Sequence, residues 1–184
     1  MPFFLGLAVV ADPLVRTLLG EKWIEAVPLI RLLAIAMPFW TLFTLFQPAT
    51  DAMGRPAIAL RNAAIGALLM PAAFIIGGRW GISGIAAAWI VAYPALLLFA
   101  AWRSLPVIGI SVGTLLRTIA PPVLTATGMA CLVYAADRLL PDFAMLPRLA
   151  LLIGIGAVTY CSGLALFARE TVRDLITMAR GRAA

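Results

Sequence analysis

Histidine is absent from this 184-residue chain, which removes the commonest general base and metal ligand. Cysteine occurs only at Cys131 and Cys161, each inside a different apolar stretch. Cysteines so placed read as small buried hydrophobes rather than as a disulfide or a metal site. Charge is scarce: 12% of residues carry it, against about 25% in ordinary soluble domains. Basic runs are missing too, although the net charge is +6 and the pI 10.4. The basic residues are nearly all Arg, scattered singly at the ends of apolar stretches, and this argues against nucleic acid as a partner. There is no basic leader followed by a short apolar core and a small-residue cleavage site. The chain opens with Met-Pro-Phe-Phe, already in apolar sequence, and a fragment of a longer reading frame is expected.

What is abundant is apolar sequence: 64% of residues are hydrophobic and the mean hydropathy is +1.05. Six apolar stretches run almost end to end, at roughly 2–19, 27–48, 56–77, 82–102, 114–136 and 146–168. Each approaches the ~20 residues with which a helix crosses a bilayer core. The expected fold is all-α, a polytopic transmembrane helix bundle of six spans occupying 1–168. Residues 169–184 read as an amphipathic tail able to lie along an anionic leaflet, or as a frayed helix end.

Punctuation falls between the stretches. Gly20 stops the first helix, Glu21 and Lys22 sit in water, and Trp23 suits a headgroup belt. Pro28 opens the second helix and Pro38 is expected to kink it. Asp51–Arg55 is a polar turn with an expected ion pair between its ends, and Pro56 opens the third helix. Residues 77–81 form a tight turn. Gly81, Gly84, Ala88 and Ala92 then follow at steps of three and four, a small-residue face for helix packing. Ser104–Gly113 is expected to be the longest loop. Gly156 and Gly163, seven apart, share a face of the sixth helix. Arg and Lys in alternate loops number eight on one side against four on the other, or six with Arg16 and Arg31. This bias places both ends in the cytoplasm.

No nucleophile elbow, phosphate-cradling glycine loop or catalytic carboxylate pair appears, so the expectation is no enzyme, no catalytic residue, no metal and no cofactor. The informative residues are charges inside apolar sequence, which are costly in lipid and usually turn inward. Asp12 and Arg16, four apart, form either a local ion pair or the lining of a cavity. Arg31, one turn into the second helix, either snorkels to the headgroups or meets an anionic substrate with its planar fork. Arg61 and Asn62 near the start of the third helix carry the same two readings, as does Arg117 more weakly.

The run from Pro2 to Ala34 contains Gly-Glu-Lys-Trp, then Ala-x-Pro, then Leu-Leu-Ala. With Ala52-Met-Gly-Arg-Pro and Gly81-Ile-Ser-Gly-Ile-Ala-Ala-Ala-Trp, it resembles the C-terminal half of bacterial polysaccharide exporters. These are the lipid-linked oligosaccharide, or O-antigen, flippases of the multidrug/oligosaccharidyl-lipid/polysaccharide exporter superfamily. The match covers most of residues 2–116; the last two helices match only in hydropathy and spacing. The resemblance implies one lobe of a two-lobed inner-membrane transporter with a central cavity that opens alternately to each side. It implies an undecaprenyl-diphosphate-linked glycan as substrate, with membrane lipids around it and a missing N-terminal helix bundle as partner. A multidrug or lipid II exporter of the same superfamily is the alternative within transport. A membrane glycosyl- or acyltransferase, with Asp137 and Asp142 as its nearest carboxylates, and a non-transporting assembly subunit are the readings outside it.

Overall fold

The computed structural model describes residues 1–140 and 145–167, and every described element is helical. Helix α1 spans Pro2–Leu18, α2 Val27–Ala52, α3 Pro56–Gly77, α4 Gly81–Ile108, α5 Val112–Leu139 and α6 Met145–Phe167. Short 3-10 turns at Glu21–Ala26 and Gly78–Trp80 join α1 to α2 and α3 to α4. The tail and Asp142 lie outside the described residues.

Apolar sequence of this length takes the helical form because lipid offers no partner to backbone N–H and C=O groups, which must pair within the segment. Four segments among the described residues are long and apolar enough to cross a membrane: Glu21–Ala52, Pro56–Ile108, Val112–Leu139 and Leu146–Leu166. Six stretches become four segments for two physical reasons. α1 has 17 residues, about 25 Å of helix, at the lower limit for crossing a hydrocarbon core. α3 and α4 are parted by a three-residue turn alone and form one continuous apolar segment.

Several boundaries move outward from those expected. α2 runs through Pro48 to Ala52, and α4 runs through Pro106 to Ile108. The expected long loop 104–113 shrinks to three residues, 109–111, and Ser104 lies wholly buried inside α4. α5 starts where the Ser111 hydroxyl accepts from the Thr114 N–H at 3.1 Å, and continues through Pro121 and Pro122 without a break. The Thr125 hydroxyl donates to the Pro121 carbonyl at 2.9 Å. At residues 51–55 the chain turns on backbone bonds, Gly54 N–H to Asp51 O and Arg55 N–H to Thr50 O. The ion pair expected there is absent among the described salt bridges.

The helices pack as two trios, α2/α3/α4 and α1/α5/α6, joined along the α1–α2 seam. In the first trio Phe46 of α2 meets Ala100 and Leu105 of α4, with Leu115 of α5 against the same cluster. In the second, Val10 of α1 packs on Met129 and Val133 of α5 and on Leu149 and Leu152 of α6. The seam is Ala11 and Val15 against Val27. Leu68, Ile75, Val91 and Leu98 point outward, each more than 70% exposed, as a lipid-facing surface requires.

Candidate functional site

At the end of α1, three charged side chains come together. Asp12 and Arg16 share a helix face, and Arg16 Nε donates to Asp12 Oδ2 at 3.0 Å. The helix then stops at Gly20, whose φ of +86° suits glycine, while the Leu19 and Gly20 N–H groups both reach Val15 O. That reversal brings Glu21 back, and Arg16 Nη1 donates to both its carboxylate oxygens, at 2.8 and 2.9 Å. Glu21 was not among the expected site residues. Its signal is a carboxylate just past a glycine stop, five positions from an arginine. One guanidinium between two carboxylates is already neutralised, so Arg16 offers no free fork to an anionic ligand.

Arg31 sits differently. It is exposed one turn into α2 and, among the described residues, makes no ion pair or hydrogen bond. Its neighbour Ile30 is held against the α1–α2 seam, which fixes the backbone that carries it. Arg31 therefore presents an unpaired cation near the bundle end that also holds the Asp12–Arg16–Glu21 cluster.

Arg61 and Asn62 lie near the opposite end of the bundle and face different surroundings. Arg61 is exposed, whereas Asn62 is 5% exposed between α3 and α4. Asn62 Nδ2 donates to Ser104 Oγ at 3.3 Å, and Asn62 Oδ1 has no partner. Asn62 is thus a helix-to-helix contact between α3 and α4. The five substrate-path candidates do not converge: Asp12, Arg16 and Arg31 gather at one end, Arg61 and Asn62 at the other.

The small-residue face has a counterpart. A Cβ on Gly77 would stand 2.5 Å from the Gly84 carbonyl oxygen and 3.3 Å from Ala88 Cβ. Gly84 and Ala88 are therefore packing residues of the α3–α4 pair. Gly81 differs: it has φ +73°, and a Cβ built on it would meet nothing within 4 Å, so its place is the turn into α4. A Cβ on Gly156 would meet Val133 at 3.4 Å, and one on Gly163 would meet Thr125 at 3.2 Å, so both glycines face α5. At the α5–α6 connection Arg148 clasps Asp137, with Nη2 3.0 Å from Oδ1 and 2.7 Å from the Asp137 carbonyl oxygen.

Three grooves run along the helices. One of 690 Å³ lies between α3 and α4 beside Leu32 of α2. One of 450 Å³ lies among α1, α5 and α6, and one of 560 Å³ lies between α5 and α6 with Arg117 on its wall. Arg117 is the one charged residue lining any of the three. Such grooves suit acyl chains or neighbouring helices. Among the described residues no group of His, Cys, Asp or Glu could hold a metal ion.

No family model matches the chain, and no solved structure matches it. Over 162 residues, 87% of its length, the chain is 25% identical to "Teichuronic acid biosynthesis protein TuaB" of Bacillus subtilis (strain 168). The matched part is 33% of that protein, so the chain spans about a third of the relative's length.

Proposed function

We propose that this multi-pass, all-helical chain works in polysaccharide biosynthesis as part of a transporter that moves lipid-linked glycan precursors across the bacterial inner membrane. The observation that carries this reading is the similarity to TuaB along 87% of a chain built from apolar helices. In this reading all six helices span the bilayer, with both ends cytoplasmic. They form one lobe of a transporter of the multidrug/oligosaccharidyl-lipid/polysaccharide superfamily, and a second helix bundle supplies the facing wall. The cavity between the lobes opens alternately to each side. Arg31 engages the diphosphate of an undecaprenyl-diphosphate-linked oligosaccharide, while the polyprenyl tail remains in lipid. No covalent chemistry is assigned to the chain.

Arg31 is the residue to test because it is unpaired where Arg16 is not. A snorkelling role needs only a long cation, which Lys also supplies. Bidentate recognition of phosphate oxygens needs the planar fork. Replacing the chromosomal gene with R31K should therefore leave the chain's abundance in membranes normal while reducing glycan export about tenfold, the loss of one charge-assisted contact. R31A should be worse. Parental export by R31K at normal abundance would remove Arg31 from the substrate path.

A further inference from the structure

The register of the α3–α4 hairpin places two arginines together in a way that neither sequence position announces. Four contacts fix the register along the hairpin's length. Gly77 lies against Gly84 and Ala88, Phe74 stacks near Trp89, Gly66 meets Leu96, and Asn62 bonds Ser104. As the α3 number falls, the α4 number rises, so the helices are antiparallel throughout. In an antiparallel pair, the residues immediately preceding two facing residues fall on the same side, because each helix turns ~100° per residue in opposite senses as viewed down one axis. Asn62 and Ser104 face each other, so Arg61 and Arg103 flank the contact on one side of the hairpin. Helix axes in contact lie ~8–10 Å apart, and an arginine side chain from each can close that gap.

Neither guanidinium is neutralised. Arg61 is exposed, and neither residue has a carboxylate partner among the described residues. Arg103 rests over the Phe99 ring, 5.5 Å from its centroid, which leaves its N–H edge open. Asn62 Oδ1 stays without a donor, so neither arginine hydrogen-bonds to it. Trp102, 74% exposed, stands next to Arg103 and marks the headgroup level. At this end of the bundle the described acid is Asp51, set against Arg55, Arg61, Arg103 and Arg117.

We propose that Arg61 and Arg103 form a clip for the phosphodiester of an anionic phospholipid in the leaflet facing this end of the bundle. Two unpaired planar forks in the headgroup layer match phosphate oxygens, and Phe99 and Trp102 give the first carbons of the acyl chains an apolar floor. The clip is independent of what the protein transports.

Native mass spectrometry of the full chain, delipidated in detergent and titrated with phosphatidylglycerol or phosphatidylcholine, tests it. The wild type should retain phosphatidylglycerol in preference to phosphatidylcholine. R61Q and R103Q should each weaken that retention about tenfold, as loss of a charge-assisted contact implies. The double variant should bind both lipids alike. R61K/R103K, which keeps the charge and guards against misfolding, should fall between the wild type and the Gln variants. R138Q, at the other end of the bundle, should match the wild type. Undiminished phosphatidylglycerol retention by R61Q/R103Q would overturn the proposal. So would its displacement by undecaprenyl diphosphate at equal concentration, which would make the pair a substrate contact.

Discussion

Gly84 stands so close to Gly77 that a Cβ built on it would collide with the Gly77 carbonyl oxygen and approach Trp80 Cβ to 2.8 Å. Two glycines, one near each end of a three-residue turn, allow α3 and α4 to fold back on each other at backbone distance. In lipid, where apolar surface is already solvated, such steric fit is a main source of helix association.

This contact yields a direct comparison. G84L drives a side chain into backbone and should destabilise the chain by about 2 kcal/mol or more. L98A, on the same helix but at a residue 72% exposed, should stay within about 0.5 kcal/mol. Unfolding midpoints in detergent would decide, and equal midpoints would show that Gly84 faces lipid.

Asn62 and Ser104 should behave as a coupled pair. S104A strips Asn62 of its one partner and leaves the whole amide buried and unpaired, a loss of about 1–3 kcal/mol. N62L/S104A removes the polar groups together and should recover most of that loss. A double-mutant cycle that is additive would mean the two side chains do not bond.

The Arg148 clasp predicts an order of effects. R148A removes both the ion pair and the bond to the Asp137 carbonyl. D137N leaves that backbone bond in place and should cost less. With both side chains about a quarter exposed, the larger effect should be about 1 kcal/mol. Thermal unfolding of the two variants gives the ranking, and the reverse order would overturn the geometry.

Topology is open to reporter fusions after Trp23, Arg55, Trp80 and Ile110. If the six helices all span the bilayer, the signals alternate, with Arg55 and Ile110 cytoplasmic. A non-cytoplasmic signal at Ile110 would reverse the orientation read from the arginine bias.

Much of the architecture was legible because hydropathy and backbone pairing in lipid point the same way. α3 begins at Pro56 and ends at Gly77 as the sequence indicated, and Gly20 stops the run that forms α1. Two helix ends lie further on than expected. The stretch 27–48 extends to Ala52 and the expected loop 104–113 is mostly helix, with Pro48 and Pro106 inside α2 and α4, where a freed carbonyl can be met by local adjustment. Ser104, expected in that loop, lies inside α4. The site was harder to read. Spacing of four disclosed Asp12–Arg16, but Glu21 joins them across a glycine reversal that no helical period describes. Asn62 drew notice because a polar group in apolar sequence is usually functional, but its contact could not be read from the sequence. Its partner lies on another helix, and only the hairpin register brings the two together.

The order in which the helices are made has a cost for α1. Of these six helices it leaves the ribosome before the rest, yet its neighbours Met129, Val133, Leu149 and Leu152 lie on the last two. The α2/α3/α4 trio can assemble from consecutive segments soon after they enter the membrane. α1 must wait, half-partnered, until α5 and α6 arrive, the long-range closure that delays assembly and prolongs exposure of unmatched surface. Substitutions at Val10 or Val15 would therefore act on yield and on capture by quality-control proteases before they acted on the finished protein.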